Sequence, residues 1–228
     1  MNPELPFDAP GAGSDTGAGP KGNRAGEGDA MARVVAELAS DDYHAGKRFE
    51  GIDFSDLPLS GHTFEDCAFT SCRFRETSLA RVSFISSTMD DCEFVLVTLE
   101  NATLNAVAFR KSRLVGVNFS DCNRFGFSPS FDECLLESAV FYGNSLKKAR
   151  FVQSKIRNSD FIETDLRDSC FDGTSLEGTS FQKCDLERAD FRSAFDYAID
   201  PATNKLARAR FTLPEAQSFL GFLGIEIT

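Results

Sequence analysis

The chain has 228 residues and a formal net charge of −11, with 23 phenylalanines and no tryptophan. No apolar run approaches the roughly 18 residues of a membrane span, and the N-terminus lacks the apolar segment of a secretory signal. These features predict a cytoplasmic protein, and the overall acidity argues against direct binding to nucleic acid.

Residues 1–30 are rich in Gly, Ala, Pro and Asp and hold almost nothing apolar, which predicts a disordered N-terminal tail. Met31 is an alternative start of the native protein. From Met31, apolar residues recur at helical spacing up to Leu38, which predicts a short helix within an N-terminal cap at residues 31–46. Such a cap would cover the exposed end of the structure that follows.

Between residues 47 and 211 the sequence repeats with a period of five. A large apolar residue, mostly Phe or Leu, stands at the centre of each unit, and the residue two places earlier is mostly small. This period fits neither a helix of 3.6 residues per turn nor an alternating strand. A fixed internal period is typical of repeat architectures.

The units Cys-Asp-Leu-Glu-Arg at 184–188 and Ala-Asp-Phe-Arg-Ser at 189–193 resemble the pentapeptide-repeat family. The resemblance implies an all-β solenoid, a right-handed quadrilateral β-helix in which four pentapeptides make one square coil. The count of units predicts about seven coils, with a short N-terminal cap and a C-terminal α-helix.

The register breaks once, because Phe119 and the next central residue, Phe131, are 12 residues apart instead of 10. We interpret residues 122–130 (Cys-Asn-Arg-Phe-Gly-Phe-Ser-Pro-Ser) as one pentapeptide enlarged by two residues, and refer to them as the enlarged unit. With this count, one face of the square carries an unbroken row of core residues: Phe49, Phe69, Met89, Phe109, Phe131, Phe151, Phe171, Phe191 and Phe211.

The enlarged unit is also a candidate surface for partner contacts, because functional loops are often carried on rigid scaffolds. Arg124, Phe125 and Phe127 are its candidate contact residues. In the alternative interpretation, Phe125 or Phe127 simply fills the core at the break.

The sequence predicts no catalytic residue, metal site or cofactor. Six of the seven cysteines lie at or beside the small-residue position, which predicts buried, reduced thiols, and none forms a pair with zinc-binding spacing. The two histidines, His44 and His62, have no partner at ligand spacing. Motifs for a nucleophile elbow or a phosphate-binding glycine loop are missing, so an enzymatic activity is not expected.

Residues 212–228 are predicted to start with a capping box at Thr212 and to form a helix. Its apolar residues would either fold onto the last coil or pair with another subunit. Members of the family that the chain resembles dimerise through this end. A homodimer is therefore expected, with its interface at Leu213, Phe219, Leu220, Phe222, Leu223, Ile225 and Ile227.

Some pentapeptide-repeat proteins imitate duplex DNA in width and charge and bind DNA gyrase in its place. The resemblance implies a non-enzymatic partner of DNA gyrase or topoisomerase IV that protects the enzyme from quinolones or a natural gyrase poison. Residues 49–191 carry a net charge of −8, whereas a duplex of the expected rod length, ~34 Å, would carry roughly 20 charges. Two local acidic stripes are therefore the candidate surfaces: Asp90, Asp91 and Glu93 in the first, and Glu163, Asp165, Asp168 and Asp172 in the second.

Two other functions fit the same sequence. A general protein-interaction scaffold without a topoisomerase partner is favoured by the low charge density and the short loops. A protein that binds nucleic acid directly would depend on a basic patch, although Asp160 and Glu163 close by predict a surface of mixed charge. The basic patch consists of Lys147, Lys148, Arg150, Lys155 and Arg157.

Overall fold

A computed structural model describes the backbone of residues 24–222 and the side chains of residues 31–222. In this part of the chain, short strands wind into a parallel β-solenoid of about seven turns, with a helix before it and a short helix after it. The solenoid implied by the family resemblance is thereby confirmed. None of the described helices combines the length and the apolar character needed to cross a bilayer.

The helices and strands follow one another in a regular order. The helix α1 spans Arg24–Ser40, and the first nine strands are β1 (Tyr43–Ala45), β2 (Arg48–Glu50), β3 (Thr63–Glu65), β4 (Ala68–Thr70), β5 (Arg73–Arg75), β6 (Ser83–Ile85), β7 (Thr88–Asp90), β8 (Glu93–Val95) and β9 (Thr103–Asn105). The next strands are β10 (Ala108–Arg110), β11 (Arg113–Val115), β12 (Ser130–Asp132), β13 (Leu135–Glu137), β14 (Val140–Tyr142), β15 (Phe151–Val152), β16 (Lys155–Arg157), β17 (Asp160–Ile162) and β18 (Ser180–Gln182). Short 3-10 helices lie at Phe119–Asp121 and Glu215–Gln217, and α2 spans Ser218–Gly221.

Strands one turn apart pair in parallel and form four sheets, one on each side of the square. Their orders are β1-β3-β6-β9, β2-β4-β7-β10-β12-β15, β5-β8-β11-β13-β16 and β14-β17-β18. In the second sheet Phe109 lies opposite Phe131, and Phe131 lies opposite Phe151. The enlarged unit therefore occupies one side of the square, and the row of central residues continues past it.

The central side chains fill the interior as stacks of rings. Phe151 is fully buried, with its ring centroid 5.2 Å from that of Phe131 and 4.9 Å from that of Phe171. Of the predicted row, the members from Phe49 to Phe191 are at most 3 % exposed, and Phe211 is partly buried. An interior packed in this way leaves no cavity for a substrate along the axis.

The small position two residues before each centre is explained by hydrogen bonding. Ser87 Oγ donates to the main-chain oxygens of Phe64 and Ile85, and accepts from the N–H of Cys67 at 3.1 Å. A small polar side chain at this position satisfies main-chain groups of neighbouring turns. The cysteines at this position are buried free thiols.

At most corners the chain bends through a residue with a positive φ, usually two places after the central residue. Asp91 (φ 53°) and Lys148 (φ 63°) are examples. This conformation costs a side chain roughly 1–2 kcal/mol. Here it directs the corner N–H to the next turn, as in the 2.9 Å bond from Lys148 N–H to the Arg167 carbonyl.

At the N-terminus the solenoid begins earlier than predicted. The helix α1 starts at Arg24, so residues 24–30 are helical and do not belong to a disordered tail. Once one turn of a helix has formed, each further residue extends it at little cost in free energy. Residues 1–23 lie outside the described part. Strand β1 falls inside the predicted cap at 31–46, because His44 takes a central position and its ring stacks on Phe64 at 4.9 Å.

At the C-terminus the helix is shorter than predicted, and the predicted capping box is wrong. The hydroxyl of Thr212 donates to the main-chain oxygen of Arg192, one turn back, so Thr212 continues the hydrogen bonding of the solenoid instead of capping a helix. The 3-10 helix at Glu215–Gln217 begins after Pro214, with no side-chain cap. The predicted interface residues Leu223, Ile225 and Ile227 lie outside the described residues.

Candidate protein-binding surfaces

In the first acidic stripe, Glu93 is held between two arginines. Its carboxylate accepts from Arg75 Nη2 at 2.5 Å and lies 3.3 Å from Arg113 Nη1, on the neighbouring turn. Arg113 also lies 3.6 Å from Glu137, one turn further on. The charges therefore alternate along this face, and Glu93 does not present an uncompensated negative charge.

Asp90 and Asp91 lie at the corner between β7 and β8. Asp91 is exposed and accepts a hydrogen bond from Ser71 Oγ at 2.8 Å, while Asp90 stands in register with Arg110. Neither carboxylate forms an ion pair with a basic side chain of residues 31–222. Of the first stripe, these two aspartates are the members whose charge is available to a partner.

In the second acidic stripe, two aspartates are clamped by arginines. Asp165 accepts two hydrogen bonds from Arg167, at 2.8 and 2.6 Å, and Asp168 accepts two from Arg188, at 2.7 and 3.0 Å. The arginine in each pair holds the pKa of the aspartate below its ordinary value. Such two-point pairs fix the side chains and cancel most of their charge.

The other members of the second stripe are also occupied. Glu163 lies 3.5 Å from Lys183 Nζ, and Asp172 accepts a hydrogen bond from Ser193 Oγ. The predicted stripe is thus a row of paired charges. Most of these partners lie about 20 residues later in the sequence, which is one full turn of the solenoid. A search of the sequence for opposite charges 20 residues apart could therefore have predicted these pairs.

In the enlarged unit the two aromatic residues have opposite environments. Phe127 is 5 % exposed and its ring packs edge-on against Phe119, with centroids 6.2 Å apart. The next residue, Ser128, donates its N–H to the Leu104 carbonyl at 2.9 Å, which places Phe127 on the fourth side of the square. Phe127 is therefore the residue that fills the core at the break.

Phe125 projects from the same unit and is 88 % exposed. Its N–H donates to Asn123 Oδ1 at 3.0 Å, which fixes the turn that carries the ring outward. The guanidinium of Arg124 lies over the corner at Gly143, where an added Cβ would come within 2.8 Å of Arg124 Nη2. Gly143 has φ +65°, so a residue without a side chain serves both the bend and the close approach.

The residues of the basic patch lie in three different environments. Arg157 lies 3.2 Å from Glu177 Oε2, which makes it part of the alternating charges of its face. Lys147, Lys148 and Arg150 surround a hollow beside the enlarged unit. Lys155 lies between Leu135 and Ser175 of the neighbouring turns.

The two histidines form a buried pair, which the sequence did not predict. His44 Nε2 and His62 Nδ1 are 3.1 Å apart, and Glu37 of α1 lies 3.7 Å from His44 Nδ1. Burial, followed by the charge of His62, lowers the pKa of His44. Within residues 31–222, no three His, Cys, Asp or Glu side chains are grouped so as to hold a metal ion.

The predicted dimer segment is partly folded onto the last turn. The ring of Phe219 packs edge-on against Phe211, with centroids 4.8 Å apart, and Leu220 is partly buried. Leu213 and Phe222 remain 75 % and 46 % exposed. These two residues are the apolar surface that the described part of this end offers to another molecule.

Comparisons with known proteins give one family and several solved structures. The family model for the pentapeptide repeat region matches residues 62–124 and 127–194, which together exceed half of the chain, and its interruption falls within the enlarged unit. A trypsin-treated variant of QnrB1, a plasmid-mediated fluoroquinolone resistance protein, is 15 % identical over 82 % of this chain and 100 % of its own, with a TM-score of 0.53.

Two further structures are more distant. Full-length QnrB1 is 16 % identical over 80 % of this chain and 100 % of its own, with a TM-score of 0.35. HetL, a pentapeptide repeat protein involved in heterocyst differentiation regulation from Nostoc sp. strain PCC 7120, is 12 % identical over 78 % of this chain and 90 % of its own, with a TM-score of 0.32. No curated protein matches the sequence. At these identities the likeness concerns the fold alone.

Proposed function

This chain belongs to the pentapeptide-repeat family, and from that premise we propose that it is a non-enzymatic cytoplasmic protein that binds DNA gyrase or topoisomerase IV. In this proposal the rod occupies part of the enzyme's DNA-binding surface and protects the enzyme from quinolones or a natural gyrase poison. The similarity in fold to QnrB1, a fluoroquinolone resistance protein, supports the choice of partner.

The observation that carries the proposal is the exposed ring of Phe125. A phenylalanine that is 88 % exposed gains nothing for the stability of the free protein, and large aromatic anchors are typical of protein interfaces. Phe127, buried directly below, and Asn123 hold the enlarged unit in place. Asp90 and Asp91 add a second set of contacts, since their charges are open to a basic surface on the partner.

A general interaction scaffold is the second candidate function. It is favoured by the pairing of Glu93, Asp165 and Asp168 with arginines, because a surface of alternating charges resembles a row of phosphates poorly. In that case the partner contacts Phe125 and has no relation to DNA.

The proposal includes a homodimer through the C-terminal segment. Leu213 and Phe222 form its described exposed part, and Phe219 and Leu220 lie beside them on the last turn. The chain continues from there into Leu223, Ile225 and Ile227, the remaining apolar residues of the segment. Sedimentation equilibrium measures this directly, and a monomeric mass at micromolar concentration would refute the dimer.

The test of function is DNA supercoiling by gyrase in the presence of ciprofloxacin, with the purified protein added in steps. We expect supercoiling to recover as the protein is added. The variant Phe125→Ala should lose at least tenfold in potency. Leu96→Ala is the matched control, because Leu96 is 56 % exposed at another corner and its loss should leave the recovery unchanged.

The outcomes separate the two candidate functions. Recovery that depends on Phe125 but not on Leu96 supports topoisomerase protection. If the folded protein has no effect on either gyrase or topoisomerase IV at any concentration, the topoisomerase proposal fails and the scaffold remains. Equal loss of potency in both variants would refute the assignment of Phe125 as the anchor.

A further inference from the structure

One corner of the solenoid is shorter than the others. Where the chain turns from the fourth side to the next, central residues are normally five apart and a residue with positive φ makes the bend, as Lys148 (φ 63°) and Asp168 (φ 58°) do. In the enlarged unit, Phe127 and Phe131 are four apart, and no residue between them has a positive φ. Pro129 lies within this corner, which is one residue shorter than the Lys148 corner of the next turn.

The short corner interrupts the main-chain hydrogen bonds to the next turn. Most residues before a central residue donate their N–H one turn back, as Cys170 does to the Ala149 carbonyl at 3.0 Å, and Ser78 and Asn118 are exceptions elsewhere in the described solenoid. The equivalent N–H groups of Ser145 and Arg150 have no acceptor among the described residues. Two main-chain donors at this step are therefore available to an outside acceptor, and donors left unpaired are costly.

The hollow at this step has a largely apolar lining with serines and positive charge at its border. Beside apolar and main-chain atoms it is bordered by three serines and three basic side chains: Ser128, Ser130, Ser145, Lys147, Lys148 and Arg150. No carboxylate lines it. Asp165 and Asp168 of the next turn are each clamped by an arginine. Arg150 also borders a second hollow together with Asp172 and Asp190, but no carboxylate of residues 31–222 forms an ion pair with Lys147, Lys148 or Arg150.

The size of the hollow limits what it can hold. Its volume is about 160 Å³, which is well below the roughly 300–1,000 Å³ of pockets for drug-sized ligands. It exceeds the roughly 30 Å³ that one water molecule occupies in the liquid. A small ion of a few heavy atoms fits between these limits, and the three basic side chains at the border favour a negative one.

We propose that this hollow binds an oxyanion of the phosphate class, either as the free ion or as the terminal phosphate of a small molecule. Lys148 and Arg150 supply the charge. The hydroxyls of Ser130 and Ser145 and the N–H groups of Ser145 and Arg150 supply directional hydrogen bonds, whereas the Ser128 hydroxyl is already donated to the Gly126 carbonyl. Convergent main-chain N–H groups combined with basic side chains are the usual means by which proteins hold such anions. The site does not depend on the topoisomerase proposal.

The test is isothermal titration calorimetry of the full chain with inorganic phosphate, and separately with glycerol 3-phosphate, at an ionic strength held constant with chloride. We expect saturable binding of at least one of the two probes. The double variant Lys148→Gln/Arg150→Gln should bind tenfold or more weakly. Both substitutions are at exposed positions, and circular dichroism verifies that the variant is folded.

The matched control is Arg110→Gln/Lys111→Gln, which changes the net charge equally on another part of the rod. Like Lys148, Lys111 is a corner lysine with positive φ (49°). Equal weakening in both double variants, or heats no different from those of chloride, would overturn the proposal. Selective loss at Lys148 and Arg150 supports it, and the stronger of the two probes then distinguishes the free ion from a phosphomonoester.

Discussion

The same residue type has opposite roles at Phe151 and Phe125. Phe151 is fully buried between the rings of two neighbouring turns, whereas Phe125 is 88 % exposed on the enlarged unit. The difference follows from position alone, since only the former stands at the centre of a pentapeptide. Side chains at central positions hold the turns together, and side chains added to a corner are free to contact other molecules.

Replacing Phe151 by Ala should therefore lower the free energy of unfolding by about 3–5 kcal/mol, because a large cavity would open in a closely packed stack. Phe125→Ala should change it by no more than about 0.5 kcal/mol. Urea denaturation followed by circular dichroism measures both. Equal stability of the two variants would show that the central row is not the core of the solenoid.

At the scale of single elements, the first turn is joined to its capping helix by a titratable group. His44 of β1 is buried against Phe64 and His62, and it faces Glu37 of α1 together with Asp41 and Lys47. Burial lowers the pKa of His44 from its ordinary 6.5, so the unfolded chain binds more protons than the folded one as the pH falls. The contribution of neutral His44 to the free energy of unfolding is therefore fully present above about pH 6.5, and it declines as the pH falls below that value.

The variant His44→Phe should remove this decline, since Phe occupies the equivalent position in the following two turns at Phe64 and Phe84. Melting temperatures at pH 7.5 and pH 5 measure the effect. The wild type should lose more stability between these values than the variant. An identical loss in both proteins would contradict the role assigned to His44.

The solenoid could be predicted from the sequence, because its units resemble the pentapeptide-repeat family and a central apolar residue at every fifth position fills the square interior that this resemblance implies. The ends could not. His44 was missed since a polar ring in a phenylalanine position breaks the pattern, and the capping box at Thr212 failed because its hydroxyl found an acceptor on the preceding turn.

The candidate surface was harder to predict for a related reason. Charge partners such as Asp168 and Arg188 lie one turn apart. A long charged side chain on the outside of the rod can reach several neighbours, so the sequence alone does not identify its partner. The five-residue period constrains the inside alone. It identified the enlarged unit, but it could not decide between Phe125 and Phe127 as the ring that projects.

At the scale of the whole molecule, the reactivity of the cysteine thiols measures how well the interior of the solenoid is protected from solvent. Six of the seven free cysteines are buried and Cys170 is partly exposed. Burial raises the pKa of Cys122 to about 12, and that of Cys134 and Cys184 to about 11. Because the thiolate is the reactive form, these thiols should be inert while the solenoid is folded.

Brief treatment of the native protein with iodoacetamide at pH 8 should therefore modify Cys170 alone, whereas all seven cysteines should react in denaturant. Mass spectrometry of the intact protein counts the modified thiols. The variant Cys170→Ser should give an unmodified native protein under the same conditions. Modification of several thiols in the native state would mean that the turns separate more readily than their packing indicates.

The enlarged unit also bears on how such a chain can change over generations. It lengthens the sequence without altering the direction in which later residues point, because Phe109 and Phe131 still stack at 5.3 Å across it. Inserting one whole pentapeptide would instead rotate everything downstream by a quarter turn and scramble every binding surface at once. Duplication of a complete turn of 20 residues keeps each surface facing its partner, as does growth within a corner. Proteins of this architecture can therefore gain new contacts through insertions of a few residues at a corner and can lengthen by whole turns of 20 residues. Insertions of intermediate length would misalign the binding surfaces.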